Sequence, residues 1–409
     1  MHKVCSRLHG PALFGKTDLW NSLDACVKFH KGGGVLCQKS AVKHTPPVLP
    51  QIPPFDFKPE PYQGMSKDRL LDIRKHNCNP MTMKVTYYKK PVFINQGYMQ
   101  WLWDVDGRRY LDLFAGIVTV SVGHCNPKVT ETAEKQLRRL WHTTAIYVNP
   151  QMQEYAEKLA SLLPDQLKFW EWGSSHHILG HYQANDMYIR ELKEMFATTV
   201  PNRIAAFFTE PIQGIGGALV REKGGICIAD EVQTGFGRTG SHFWGFQGHN
   251  VLPDMVTMAK GIANGFPMGA VVTTAEIARS FAKGVHFNTF GGNPLACAVA
   301  SSVLDVSTDH FIFTLAKLRD KYEIIGDVRG KGLLIGVEMV KDKASRDPLP
   351  SEAMAEIFED TKDMGVLIGK GGLYGQTFRI KPPMCITKDD ADFFLAVFNQ
   401  AVHNYMERR

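Results

Sequence analysis

Three residues that could carry acid–base or nucleophilic chemistry each close a short, mostly apolar run of the sequence. They are Glu210, Asp230 and Lys260, which follow the runs 205–209, 225–229 and 254–259. Such runs are typical of the fully buried strands of a parallel sheet. Because parallel strands end at one edge of a sheet, where open α/β sheets bind their ligands, the pattern predicts a site with two carboxylates and an amine.

An amine beside a buried carboxylate suits the chemistry of pyridoxal phosphate. The aldehyde of this cofactor needs an amine, and its ring accepts electrons only while the pyridine nitrogen stays protonated. Lys260 could bind the aldehyde, and the Asp230 carboxylate could hold the proton. A structural Asp–Lys ion pair is the alternative, and the residue types alone do not exclude it.

The segments that surround this region have their own periodicities. Alternating apolar residues predict that ordered structure begins near Val92, with a small antiparallel meander over 91–116 and an Asp-Gly turn at 106–107. Apolar residues at helical spacing predict two amphipathic helices, at 127–140 and 150–163.

The strings around the three polar residues resemble the signature of the class III, pyridoxal-phosphate-dependent aminotransferases. In family order, they are Glu-Pro-Ile-Gln-Gly at 210–214, Ile-Ala-Asp-Glu-Val-Gln-Thr-Gly-Phe-Gly-Arg at 228–238, Met-Ala-Lys-Gly-Ile-Ala-Asn-Gly-Phe-Pro at 258–267 and Asn-Thr-Phe-Gly-Gly-Asn-Pro at 288–294. The similarity runs from about residue 55 to the end of the chain. It implies the α/β architecture of fold type I, with a mostly parallel central sheet and a smaller α+β domain.

The resemblance implies a role for each residue that matches the family's cofactor site. Lys260 would hold pyridoxal 5′-phosphate through its ε-amino group and act as the base in the 1,3-proton shift. Asp230 would pair with the pyridinium nitrogen, while Gln233 would hydrogen-bond the ring hydroxyl and Val232 would pack against one ring face. Thr289 would reach the phosphate of the neighbouring subunit's cofactor, so the expected active form is a homodimer or homotetramer.

Two further residues match the family's substrate site. Arg379 would grip the substrate carboxylate with its planar guanidinium, and Glu210 would neutralise this arginine in one half-reaction. Three more strings, at 121–127, 140–143 and 406–409, are similar to the alanine–glyoxylate type of the family. The expected substrates are small amino and oxo acids, with the amino group passing from alanine, β-alanine or related ω-amino acids to glyoxylate or pyruvate. A class III aminotransferase for ornithine or γ-aminobutyrate is an alternative.

The chain departs from the family pattern at three internal places. After Lys168 the family has a Ser-Gly-rich turn at the start of a helix, whose backbone N–H groups cradle the phosphate, and here Gly173-Ser174-Ser175 is the nearest candidate. The connection 211–225 is short for a parallel crossover, and a third shortening follows Val306. These gaps predict a sheet that lacks at least one strand. They also leave open a non-catalytic, truncated isoform that pairs with full-length subunits.

The first 53 residues hold seven Lys or Arg but two acids, whereas the rest of the chain is nearly balanced. This acid-poor, basic leader predicts a transit peptide and a location in the mitochondrial matrix. The predicted divisions are a transit peptide at 1–45, a Pro-rich linker and N-terminal segment at 46–80, the first part of a small domain at 81–130, a shortened cofactor-binding domain at 131–305 and the rest of the small domain at 306–409.

Composition excludes several other classes of protein. The balanced body has no basic stripe for nucleic acid, and no apolar run reaches the eighteen or so residues of a membrane span. The eight cysteines are scattered without the two-residue spacing of zinc or redox motifs, which favours a reducing compartment. His176, His177 and His181 have no acid or cysteine to complete a ligand set, so no metal site is predicted.

Overall fold

Helices and three sheets position the residues of the predicted site. The computed structural model describes residues 49–79, 81, 88–167, 169–171, 194, 198, 204–211, 224–249, 251–281, 288–306 and 315–409. The predicted transit peptide, the candidate phosphate cradle at 173–175 and the three neighbouring histidines lie outside these residues, as does most of the short connection at 211–225.

The helices and strands are named here in chain order. They are α1 (Lys67–Asn77), β1 (Ile94–Tyr98), β2 (Trp101–Asp104), β3 (Arg109–Asp112), α2 (Pro127–Leu137), α3 (Pro150–Ser161), β4 (Phe169–Glu171), β5 (Ala206–Thr209), β6 (Ile226–Asp230), β7 (Met255–Met258), β8 (Ala270–Thr273), α4 (Ala275–Phe281), α5 (Pro294–Leu304), α6 (Ala316–Lys321), β9 (Ile325–Lys331), β10 (Leu334–Met339), α7 (Ser351–Asp363), β11 (Val366–Leu367), β12 (Gly369–Gly371), β13 (Thr377–Ile380) and α8 (Lys388–Glu407).

The predicted N-terminal meander is confirmed. β1, β2 and β3 pair antiparallel in that order, and β11 adds to β3 in parallel. Trp101 and Trp103 alternate with less buried neighbours and are 0% and 4% exposed, as expected for one face of a strand. The turn at 106–107 is closed by the Asp104 carboxylate, which accepts hydrogen bonds from two backbone N–H groups at 3.0 and 2.9 Å.

Ordered structure begins earlier than Val92, so that prediction is wrong. Within the Pro-rich segment, the Phe57 ring stacks on Tyr98 at 4.6 Å and contacts Trp103 at 5.0 Å. The Pro-rich composition of this segment predicts a linker, but its aromatic rings pack against the meander. The helix α1 follows, with the Ser66 hydroxyl as its N-cap.

Both predicted amphipathic helices are present and end two or three residues earlier than expected. α2 and α3 each begin with Pro at the first turn and an Asn at the N-cap. The Asn126 side chain accepts from the N–H of Lys128, and Asn149 accepts from that of Met152. Tyr155 and Leu159 on α3 are fully buried against α5, which covers the same side of the core.

The central sheet has the strand order β4-β8-β7-β6-β5. β5, β6 and β7 are parallel, whereas β8 and β4 run antiparallel to their neighbours. The predicted α/β class with parallel strands is therefore confirmed. The prediction that the first strand is fully buried is wrong. Within the described part of the chain β5 is the edge strand of the sheet, and its Phe208 is 54% exposed.

The C-terminal third forms a sheet in the order β12-β13-β10-β9, packed against α7 and α8. Phe378 on β13 stacks on Phe358 of α7 at 6.0 Å and meets Phe398 of α8 edge-on at 5.7 Å. Since side chains alternate along a strand, the burial of Phe378 turns the next residue, Arg379, to the opposite face. None of the described helices is long and apolar enough to cross a membrane.

Candidate active site

The parallel strands bring the three predicted residues to one edge of the central sheet. Asp230 ends β6 and lies in register with Thr257 of β7, three residues before Lys260. Glu210 directly follows β5, which pairs with β6 through Thr209 and Ala229. The electrostatic influence of Lys260 and Asp230 on Glu210 confirms that the three groups are close together.

Asp230 is held almost completely away from solvent. The residue is only 3% exposed, and its Oδ1 accepts a hydrogen bond from the N–H of Val232 at 3.0 Å. Burial raises the pKa of this carboxyl, while the Val232 N–H and the Lys260 ammonium act in the opposite direction. The carboxylate is therefore placed to interact with a cationic partner beyond the end of β6.

Lys260 adopts an unusual backbone conformation. It begins a short 3₁₀ helix, Lys260–Ala263, with a φ of +48°, a left-handed value that a side chain with a Cβ seldom adopts. Burial, followed by the Arg379 charge, lowers the pKa of its amine to about 8, although Asp230 and Glu210 pull in the other direction. The neutral, nucleophilic form of this amine is therefore much more populated near neutral pH than that of an ordinary lysine.

The backbone around Lys260 is fixed by the segment that precedes α2. The Ser121 hydroxyl donates to the carbonyl of Gly261 at 2.7 Å. Asn264 accepts from the N–H of Val122 at 3.0 Å and donates to the carbonyl of Gly123 at 2.8 Å. Ser121 and Asn264 were not predicted as site residues, because nothing in the sequence shows which distant loop would meet the Lys260 turn.

The turn after Asp230 is fixed by Glu231, which is fully buried. Its carboxylate accepts hydrogen bonds from the N–H groups of Gly245 at 2.9 Å and Phe246 at 2.7 Å, and from the Thr234 hydroxyl at 2.8 Å. Burial raises the pKa of Glu231 to about 7, against the effect of these donors. A Cβ at Gly235 would lie 2.9 Å from the Glu231 carbonyl, so this tight turn requires glycine.

Gln233, Arg379 and Lys381 meet on the other side of this turn. The Gln233 Oε1 lies 2.5 Å from the Nζ of Lys381 and 3.5 Å from an Arg379 guanidinium nitrogen. Lys381 is only 4% exposed, and burial, together with Arg379 and Lys260, lowers its pKa to about 6. Lys381 is a site residue that the prediction missed, although it stands two positions after the predicted arginine.

Glu210 is half-buried and faces the same cations. Burial and the nearby Asp230 raise its pKa, whereas Lys381, Lys260 and Arg379 lower it. Its Oε1 is buried and has no hydrogen-bond partner among the residues that the structure describes. A buried carboxylate oxygen without a donor is a place where a further polar group can bind.

Thr289 lies apart from this cluster and is exposed. The ring of its neighbour, Phe290, is 72% exposed and lies 5.2 Å from the imidazole of His142. These two residues help to line a cavity of about 700 Å³ that reaches Ala259, next to Lys260. The fifth predicted cofactor residue, Val232, is buried at 4% exposure beside Gln233.

The arrangement fits the ring end of pyridoxal phosphate. It offers an amine whose pKa is lowered, a buried carboxylate on the adjacent strand and an amide, which are the groups that the aldehyde, the ring nitrogen and the ring hydroxyl need. No group of three His, Cys, Asp or Glu within the described ranges could hold a metal ion. The amine, the carboxylate and the amide together suit an organic carbonyl cofactor.

A sequence model of the aminotransferase class-III family matches residues 82–176 and 173–402. The chain is a class III aminotransferase. Such aminotransferases depend on pyridoxal phosphate, which confirms the predicted cofactor at the level of the family. The two matched segments meet at 173–176, where the sequence departs from the family pattern.

Relatives and solved structures give the same assignment. This aminotransferase is 45% identical to human alanine–glyoxylate aminotransferase 2, mitochondrial, over 88% of this chain and 91% of the human protein. It is 38% identical to the homologue 2 from Arabidopsis thaliana, also mitochondrial, over 89% and 93%. The structure of an (S)-enantioselective ω-transaminase from Thermomicrobium roseum superposes with a TM-score of 0.71 at 26% identity, over 84% of this chain and 100% of that one.

The alignment with the human relative also measures the internal gaps. It extends over 469 positions, but 88% of the 409 residues of this aminotransferase is about 360. About 110 positions of the relative therefore have no counterpart in this chain. The predicted loss of internal segments is confirmed.

Proposed function

We propose that this aminotransferase transfers the amino group of alanine, β-alanine or related ω-amino acids to glyoxylate or pyruvate. The names of the human and Arabidopsis relatives support alanine and glyoxylate as donor and acceptor. The observation that carries the proposal is the position of Lys260 and Asp230 at the ends of adjacent parallel strands, with Arg379 near enough to depress the lysine pKa.

Each chemical role is assigned to a residue of this chain. Pyridoxal phosphate, when bound, supplies a ring that accepts the electrons released as a proton leaves the amino acid. Lys260 would hold the cofactor through its ε-amino group and then, as a neutral amine, carry the proton from the amine-bearing carbon of the substrate to the carbon that the cofactor presents as its aldehyde. Asp230 would keep the ring nitrogen protonated, while Gln233 and Val232 would hold the ring hydroxyl and one ring face.

Arg379 and Glu210 would select and release the carboxylate of the substrate. The guanidinium of Arg379 has the planar fork that grips a carboxylate with two hydrogen bonds. Glu210 lies in the same electrostatic cluster and has one buried oxygen that no described residue contacts with a hydrogen bond. It would neutralise Arg379 when the substrate presents a group that is not a carboxylate at that position.

The active form is proposed to be a homodimer or homotetramer in which Thr289 reaches the partner's cofactor phosphate. In support, the exposed surface around the 700 Å³ cavity is rich in large apolar side chains. Trp141 and Phe290 line the cavity and are 63% and 72% exposed, and Tyr147, six positions after Trp141 in the chain, is 66% exposed. Size-exclusion chromatography with light scattering tests the assembly, and Phe290→Lys would convert the oligomer to monomer.

The proposed location is the mitochondrial matrix, with residues 1–45 as the transit peptide. The mitochondrial relatives and the acid-poor leader support it. The proposed domains remain those drawn from the sequence: 81–130 with 306–409 as the small domain, and 131–305 as the shortened cofactor-binding domain.

Cofactor binding tests the catalytic proposal directly. The full chain is mixed with pyridoxal phosphate, and the visible band of lysine-bound cofactor is recorded for wild type, Lys260→Ala and the control Lys370→Ala. Wild type and the control should give the band, and Lys260→Ala should not. Rates for alanine with glyoxylate are then compared with those for ornithine and γ-aminobutyrate, and a higher kcat/KM for the latter donors would replace the proposed substrates.

The alternative function is that of a non-catalytic subunit, and the gap of about 110 positions favours it. The family's phosphate cradle belongs to the interval after Lys168, where the two matched family segments meet. Such a subunit would fold and pair without retaining cofactor by itself. A well-folded wild-type chain with no visible band, which gains cofactor only when mixed with a full-length relative, would establish this function.

A further inference from the structure

We propose that Lys381 is a positioning residue that fixes the orientation of the Gln233 amide in the cofactor site. The inference rests on the proposed function, because it concerns how Gln233 meets the cofactor ring. Lys381 is neither one of the three residues at the strand ends nor the arginine that is proposed to bind the substrate carboxylate.

The contact between the two side chains is short and buried. The Lys381 Nζ donates to the Gln233 Oε1 at 2.5 Å, and the two residues are 4% and 6% exposed. An Arg379 nitrogen donates to the same oxygen at 3.5 Å. The Arg379 guanidinium can only donate, and the Lys381 amine donates to the same atom, so the atom that receives both contacts is the amide oxygen.

The orientation of the amide has a chemical consequence. With Oε1 turned toward Lys381 and Arg379, the Nε2 end is the one left to face the cofactor site. Within the described residues, Nε2 donates to no protein group. It is therefore available as a donor to an anionic oxygen such as the ring hydroxylate of pyridoxal phosphate. The reverse orientation would present an acceptor and repel that oxygen.

The surroundings of Lys381 are unfavourable for a lysine that has only a structural role. The charged groups that influence it are Arg379, Lys260 and Arg238, all cationic, with Glu210 as the acid that opposes them. Its backbone N–H donates to the carbonyl of Leu113 at 2.7 Å, which holds the strand end in place without the side chain. A buried amine among cations is costly unless its donor function is needed.

The test uses the full chain loaded with pyridoxal phosphate and follows the pH midpoint of the visible band. A donor to the ring oxygen favours its anionic form, so losing an oriented donor raises the midpoint. Lys381→Met should raise it by about one pH unit, a tenfold change in proton affinity. Lys381→Arg keeps a donor to the amide oxygen, so its midpoint should stay close to that of wild type, and the matched control Lys370→Met should leave the midpoint unchanged.

A double-mutant cycle separates orientation from charge. In a Gln233→Leu background, Lys381→Met should shift the midpoint much less, because no amide remains to be oriented. An equal shift in both backgrounds would mean that Lys381 acts by charge alone and would overturn the inference. So would a midpoint that Lys381→Met does not change.

Borohydride reduction and peptide mass spectrometry distinguish this failure from a failure of the proposed function. Wild type and Lys381→Met should both carry reduced cofactor on Lys260. Attachment at Lys260 with an unaltered midpoint rejects only the role of Lys381. A wild-type chain that traps no cofactor rejects the proposed function and, with it, this inference.

Discussion

The Ser121 hydroxyl donates to the carbonyl of Gly261 at 2.7 Å, and so joins the loop before α2 to the residue that follows Lys260. Ser121 is 1% exposed, and its own carbonyl accepts from the N–H of Met384 at 2.7 Å. One serine thus links the Lys260 turn to the C-terminal part of the chain. The left-handed conformation of Lys260 is maintained by contacts of this kind rather than by local preference.

Removing the Ser121 hydroxyl should loosen the Lys260 turn. Ser121→Ala leaves the buried Gly261 carbonyl without its donor, so we expect the free energy of unfolding to fall by about 1–3 kcal/mol. We also expect pyridoxal phosphate to bind about tenfold more weakly, as measured by titration of the visible band. The control is Ser280→Ala, an exposed helix hydroxyl whose contact is 3.4 Å long. Equal effects from both variants would show that the hydroxyl does not position Lys260.

Glu231 should make the fold less stable as the pH rises through neutrality. Burial raises its pKa to about 7 from an ordinary 4.5, so the folded chain binds a proton that the unfolded chain releases between these values. Over this interval the Glu231 contribution to the unfolding free energy should fall by up to about 1.4 kcal/mol per pH unit. Glu231→Gln cannot titrate, and urea unfolding from pH 4.5 to 8 should show a flatter profile than wild type. Parallel profiles would contradict the assignment.

Lys381→Met should stabilise the fold at neutral pH. Burial and nearby cations lower the lysine pKa to about 6 from 10.5, so the unfolded chain binds a proton that the folded chain lacks between these values. Stability therefore rises with pH over this window in wild type, and the variant lacks this dependence. At pH 7 we expect the variant to be more stable by about 1–4 kcal/mol, with the difference narrowing toward pH 10. Lys370→Met is the control for loss of a lysine from the same sheet.

The exposed phenylalanine on β5 should contribute little to stability. Phe208 is 54% exposed, so Phe208→Ser should change the unfolding free energy by about 0.5 kcal/mol or less, while reducing self-association in light scattering. Met258 on β7 is 1% exposed, and Met258→Ala should cost about 2–5 kcal/mol. Similar costs for both variants would mean that β5 is covered in solution.

The sequence predicts the strand-end pair Asp230 and Lys260 well, because short apolar runs followed by turn residues specify both the strands and their common edge. It predicts the starts of α2 and α3 for a similar reason, since Asn-Pro is a local signal. In each case the information lies within a few residues of the feature. The wider signature then predicts a role for each residue of the candidate site by family.

Features that depend on contacts between distant segments were not predictable in this way. The strand at 206–209 is as apolar as a buried strand, yet its exposure depends on what lies beside it in the sheet. Lys381 is buried because β13 carries it next to Gln233, nearly 150 positions earlier in the chain. The packing of the N-terminal aromatic segment was unpredictable for the same reason. Its proline content indicates how the backbone is restricted, but it does not indicate the surface on which Phe57 packs.

The parallel pairing of β3 with β11 has a consequence for the order of events during biosynthesis. Leu111 of β3 pairs with Val366 of β11, which lies about 250 positions later in the chain. Because a polypeptide emerges amino end first, the meander stays without its fourth strand until about 250 further residues have been made. Forming a contact between residues so far apart in the chain is also slow. The newly made chain would therefore depend on chaperones to shield the unpaired edge of β3.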